Sequence, residues 1–286
     1  MLAQSIAKRD LASAAEILRA VGRKGRAAQQ KPLKPLALEE VSDGVETHAA
    51  APSGRSKLWL IRRPLAKVAP EHAELASRYA AVMCGARQRF DELAASAAMC
   101  HAADSGPEDL LFLDVETCGL SSAAIFLIGT MSCRRKQLVF EQFFARDYAE
   151  EAAILQAFAG RYAEAGVLVT FNGKAFDMNM IRERAAYHGV NLPDREPPHL
   201  DLLHESRRRW RGRLPNCRLQ TLEQCLCGRH RTADIPSHAI PDAYHRFVDT
   251  KDARKIGDIL RHNMLDMLTM AELVCLLLTG SDPAVE

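Results

Sequence analysis

Three apolar, β-rich runs follow one another with little chain between them: LLFLDVET at residues 110–117, IFLIGTMSC at 125–133 and QLVFEQFFA at 137–145. Connections this short join antiparallel neighbours, because a parallel pair needs a crossover of about a dozen residues or more. The polar triplet Arg134, Arg135 and Lys136 supplies the second turn. The runs therefore predict an antiparallel meander. Beyond it the period changes. Ile154, Phe158 and Tyr162 fall on one helical face, VLVTFNG at 167–173 reads as a buried strand, and 176–188 reads as a helix. HLDLL at 199–203 is a further short strand, and helices fill the rest, the last spanning residues 252–278. This succession predicts an α/β fold: a mixed sheet, its first three strands antiparallel, flanked by helices.

The first hundred residues have a different texture. Leu11, Ala14, Ala15, Leu18 and Val21 recur at helical spacing before the basic run Arg23, Lys24, Arg26. Residues 29–54 are rich in Pro, Ala and Ser without a period, which predicts a linker. KLWLIR at 57–62 reads as a short strand and 70–99 as an Ala-rich helix, until Ser105-Gly106-Pro107 breaks the chain. The expected organisation is an N-terminal helix and flexible linker (1–54), a mainly helical extension (55–105) and the main domain (106–280). A chain of 286 residues accommodates one ordinary domain with such an appendage.

Net charge is only +2, too small to point to a partner by itself. No uninterrupted apolar run approaches the roughly 20 residues of a membrane span, and the N-terminus lacks the pattern of a secretory leader. The eight cysteines are scattered rather than arranged as a disulfide framework, so a reducing cytoplasm is the expected location. Any protein partner would dock through the N-terminal region.

The chemistry-bearing residues cluster from position 114 onward. Asp114 and Glu116 lie two apart in a strand and leave the same face. Adjacent anions repel unless a cation lies between them, and carboxylate oxygens suit hard ions such as Mg²⁺ or Mn²⁺. Asp-x-Glu is also common where a strand simply reaches solvent. Asp177 follows Asn172-Gly173 at a helix start, where the dipole would favour an acid for structural reasons too. His262 and Asp266 are four apart, hence one turn apart on a largely apolar helix whose polar groups need a reason. Asn172 and Lys174 flank a turn that either approaches substrate or merely needs Gly173. The stretch SRRRWRGR at 206–213 is the densest positive charge in the chain. Arg208 and Trp210 within it could hold a single strand by phosphate pairing and base stacking, or form a solvated face with a packed ring. Cys217, Cys225, Cys227 and His230 lack the spacing of a usual zinc knuckle.

Taken in order, D-V-E-T-x-G-L from Asp114, N-G-x-x-F-D from Asn172 and H-N-x-x-D from His262 resemble the three motifs of the DEDD-type 3′–5′ exonucleases, within the ribonuclease H-like superfamily. Further strings resemble its YprB-type predicted exonuclease branch: FLIG at 126–129, HLDLLH at 199–204, L-x-T-L-E at 219–223 and D-I-P-x-x-x-I-P at 234–241. The resemblance covers residues 109–278. It implies a ribonuclease H-like fold and hydrolysis of phosphodiester bonds at a DNA or RNA 3′ end. Two divalent cations, Mg²⁺ or Mn²⁺, would be held by Asp114, Glu116, Asp177 and Asp266. His262 stands where related enzymes place a His or Tyr that orients or deprotonates the attacking water, and its spacing to Asp266 is that of the tyrosine type. Thr117, Gly119 and Leu120 match positions that contact the terminal nucleotide, with Cys118 where many relatives carry Thr. Two alternatives share this scaffold: a structure-specific endonuclease and a non-catalytic nucleic-acid-binding module. Retention of all four acids weighs against the second.

Overall fold

Alternation along the strand at residues 110–117 sets the layers of the fold. In the computed structural model, which describes residues 34–51, 54–89, 95–119 and 122–281, the strands are β1 (Val45–Ala51), β2 (Gly54–Pro64), β3 (Leu110–Thr117), β4 (Ile125–Arg134), β5 (Gln137–Phe144), β6 (Val167–Thr170) and β7 (His199–Asp201). They form one sheet in the order β1-β2-β5-β4-β3-β6-β7. The pairs from β1 to β3 are antiparallel, whereas β6 and β7 join in parallel. This is the mixed sheet of the ribonuclease H-like fold, with the expected antiparallel start. The helices of two turns or more are α1 (Glu74–Cys84), α2 (Ala97–Asp104), α3 (Glu151–Ala163), α4 (Asp177–His188), α5 (Leu202–Trp210), α6 (Leu219–Cys227), α7 (Ile240–Thr250) and α8 (Arg254–Thr279).

On β3, Leu110 and Phe112 enter one core, with α1, α2, α5, α6 and the C-terminal part of α8. Leu111, Leu113 and Val115 enter the other, with α3, α4, α7 and the N-terminal part of α8. By the same period-two rule Asp114 and Glu116 continue the Leu110–Phe112 face. Helix α8 serves both cores. By length and composition it could cross a membrane, yet 83% of its most apolar window is buried inside the fold. Its apolar length is spent on packing.

The structure departs from the sequence reading in the first hundred residues. The helix expected near residues 10–22 lies outside the described residues. The stretch expected to be a linker contains a single helical turn, Leu38–Val41, and the edge strand β1, whose seven residues pair with β2. An Ala-rich edge strand has little periodicity of its own, and its order comes from the partner strand. Trp59 of β2 pins the turn before it, its indole N–H donating to Ser42 Oγ at 2.9 Å. A Cβ on Gly44 would lie 2.1 Å from that indole nitrogen. Strand β2 also pairs with β5, so this region completes the sheet of the main domain. The single helix expected over 70–99 is broken. Helix α1 ends at Gly85, and α2 starts afresh where Ser96 Oγ accepts from the Met99 N–H at 3.2 Å. The strand expected over 199–203 stops at Asp201, whose carboxylate caps α5.

Candidate active site

Strand β3 delivers Asp114 and Glu116 at its end, where the pairing with β4 shifts by one residue between Glu116 and Thr117. Asp114 lies opposite Gly129. A Cβ at Gly129 would fall 2.0 Å from Asn263 Oδ1, so the missing side chain is what lets α8 approach the sheet here. Asn263 uses that closeness. Its amide donates to Asp114 Oδ2 at 2.7 Å and to the Asp114 carbonyl at 3.1 Å, while its Oδ1 accepts from Gln142 Nε2 at 2.9 Å. Gln142 also donates to the Leu260 carbonyl at 2.8 Å. This buried amide relay fixes helix to strand at the height of Asp114.

Asp177 arrives from the other side. After β6 the chain turns through Asn172, at φ +66°, and Gly173, where a Cβ would meet Thr170 at 2.5 Å. The buried Asp201 carboxylate accepts from the backbone N–H groups of Asn172 (2.8 Å), Lys174 (3.1 Å) and Leu203 (3.1 Å). That clamp sets where α4 begins, and Asp177 in its first turn accepts from the Val115 N–H at 3.2 Å. Strand β3 pairs with β6 only as far as Phe112, so Asp177 satisfies a donor that no strand reaches.

Helix α8 contributes His262 and Asp266. His262 Nδ1 donates to Asp234 at 2.9 Å, and its Nε2 faces Asp266 at 3.6 Å. Because an ionised carboxylate only accepts, Asp234 fixes the tautomer with Nε2 toward the acids. Asp266 Oδ1 also accepts from Arg231 Nη2 at 2.5 Å.

The acids perturb one another. Burial first, then the charges of Asp266, Glu116 and Asp177, hold Asp114 well above the usual carboxylate range despite the Asn263 bond. Burial and the charges of Asp266, Asp177 and Asp234 do the same to Glu116. Burial pushes Asp177 up to about 7, against its backbone hydrogen bonds and with help from Asp201 and Asp266. Among the described residues no cationic side chain pairs with Asp114, Glu116 or Asp177, a condition that hard cations relieve. The donor set therefore fits divalent metal ions. As the side chains stand, no three His, Cys, Asp or Glu groups among the described residues are arranged to hold one. That applies equally to Cys217, Cys225, Cys227 and His230.

The remaining sequence candidates divide. Thr117 Oγ1 donates to the Gly119 carbonyl at 2.6 Å and shapes the turn after the acid pair. Leu120 lies outside the described residues. Cys118 sits between Thr117 and Gly119, its thiol pushed up to about 12 by burial. Asn172 and Lys174 lie on the turn before Asp177, both exposed. Arg208 is exposed on α5, with Glu205 3.8 Å away, and no contact joins it to the acids. Trp210 is corrected outright. At 0% exposure its ring fills the core beside α5 and offers no face to a base. Sequence reasoning passed over Asn263, inside the third motif, and Gln142, Asp234 and Arg231, whose partners are distant in sequence.

A sequence profile of the RNase H superfamily matches residues 111–278. The chain is 32% identical over 169 residues to an uncharacterized protein YprB of Bacillus subtilis (strain 168), a match covering 58% of this chain and 41% of that one. It thus spans about two fifths of that relative's length. Among solved structures it is similar to the family B DNA polymerase from the hyperthermophilic archaeon Pyrobaculum calidifontis. The TM-score is 0.47 at 15% identity, covering 60% of this chain and 27% of the polymerase.

Proposed function

Because this chain belongs to the RNase H superfamily, we propose that it is a metal-dependent nuclease that hydrolyses phosphodiester bonds, removing nucleotides from the 3′ end of single-stranded DNA or RNA. The observation that carries this reading is the convergence of Asp114, Glu116 and Asp177 on Asp266, each raised or surrounded by the others' charge. These four carboxylates would hold two divalent cations, Mg²⁺ or Mn²⁺, which supply phosphate charge neutralisation and an activated water when bound.

The protein's own groups do the rest. Asn263 and Gln142 hold Asp114 in place, and the Val115 N–H holds Asp177. His262, oriented by Asp234, presents Nε2 to take up the proton of the attacking water. The turn shaped by Thr117 and Gly119 adjoins the acid pair and would receive the terminal nucleotide, with Leu120 against its base and Asn172 and Lys174 near the following phosphate. All eight cysteines are unpaired, which suits a reducing, cytoplasmic setting.

The test is cleavage of 5′-labelled single-stranded DNA and RNA in Mg²⁺, Mn²⁺ or EDTA, beside Asp114→Ala. We expect a ladder shortening from the 3′ end, abolished by EDTA and reduced at least about a thousandfold by the substitution, as for loss of a group central to transition-state charge. Discrete internal cuts would instead identify an endonuclease, and binding without cleavage in either metal would identify a non-catalytic module.

A further inference from the structure

We propose that the Arg231 guanidinium, which is ion-paired with Asp266, is the ligand of the scissile phosphate. This rests on the nuclease reading above. The Arg231 side chain is 6% exposed and held by three acids: Glu223 Oε2 at 2.6 Å, Asp266 Oδ1 at 2.5 Å and Asp234 Oδ2 at 3.3 Å. These partners play different parts. Glu223, on α6, is 1% exposed and shared with Arg229 at 3.0 Å, and Arg229 in turn donates to Thr269 Oγ1 at 3.0 Å and pairs with Glu272. None of these partners of Arg229 is a catalytic acid. Glu223 takes Arg231 through Nε and leaves Nη2 pointing at Asp266.

The bond to Asp266 has a different standing. An oxygen that holds a divalent cation cannot keep a guanidinium at hydrogen-bond distance without bringing like charges together. With cations on Asp266, the freed N–H groups need another anion beside the same acids. A phosphodiester meets that need, because the planar fork of an arginine matches two phosphate oxygens at once. A cavity of about 260 Å³ lined by Gln220, Glu223, Gln224, Arg229, Arg231 and Asp234 opens beside the guanidinium, and Asp114, Glu116, Asp177 and Asp266 do not line it. Glu223 is then a positioning residue, aiming Arg231 from behind.

The experiment compares the full chain with R231Q, R231K and E223Q, measuring Mn²⁺ affinity by calorimetry and turnover on a labelled single strand. Removing the paired cation should tighten Mn²⁺ binding of R231Q several-fold while kcat falls at least a hundredfold. R231K keeps the charge without the fork and should recover part of kcat. E223Q should lower kcat about tenfold with Mn²⁺ affinity near that of the wild type. A merely structural arginine would move both readouts the same way, so weakened Mn²⁺ binding together with slow turnover in R231Q and R231K would overturn the proposal. Unchanged turnover in R231Q would overturn it as well. A wild-type chain that binds Mn²⁺ yet cleaves neither strand would overturn the nuclease reading and the phosphate role with it, a result distinct from an active wild type indifferent to R231Q.

Discussion

Asp177 links the chemistry of single residues to the stability of the chain. Its carboxyl is raised from 3.8 to about 7 in the folded state. A group raised in this way contributes its full stability only below the unfolded value, and the contribution is lost as pH climbs through the folded one. The metal-free chain therefore carries a penalty above pH 7 that is absent near pH 4. Each tenfold change in proton affinity is worth about 1.4 kcal/mol, which puts the penalty on the order of a few kcal/mol, shared with Asp114 and Glu116. Asp177→Asn keeps an acceptor for the Val115 N–H and cannot ionise. In EDTA it should melt with the wild type near pH 4 and several degrees above it at pH 8. Saturating Mn²⁺ should reverse that order, since only the wild type then gains from binding the ion. Thermal melts at the two pH values check this, and equal melting at pH 8 in EDTA would refute it.

At the scale of elements, what could be read in the sequence divides by where the information lies. The central strands were legible because each carries its own apolar run, and Asp114 and Glu116 were legible because they end such a run two residues apart. Strand β1 was not, since VETHAAA takes its order from β2 across the sheet. Trp210 lies in a basic stretch but is claimed by the core, a choice that local charge cannot reveal. Arg231 and Asp234 were illegible as site residues because their partners lie 35 and 28 residues away, at Asp266 and His262. The same division predicts the outcome of truncation. A chain starting at Gly106 would lose β2, which pairs along β5, and α1 and α2, which cover one sheet face. Tyr79 of α1 is fully buried edge-on against Phe112, 5.9 Å between ring centroids. Exposing a sheet face and an edge strand together should leave this fragment insoluble or molten, as judged by near-ultraviolet circular dichroism. A soluble, active fragment would show that the early elements are dispensable.

For the molecule from Leu36 onward, the decisive feature is that α8 belongs to both cores, with His262, Asn263 and Asp266 near the crossing. Neither core can come apart without withdrawing part of that helix from the other, so the two should melt as one. The chain carries its own reporters for this. Of its two tryptophans, Trp59 lies in one core and Trp210 in the other. Trp59→Phe and Trp210→Phe each leave a single emitter. Each variant's fluorescence midpoint in urea should coincide with its own helical circular dichroism, whereas a systematic gap between probes would expose a half-folded state. If the probes coincide, quality control faces a binary object. A damaged copy would be either whole or open to a protease, with little opportunity to persist half folded.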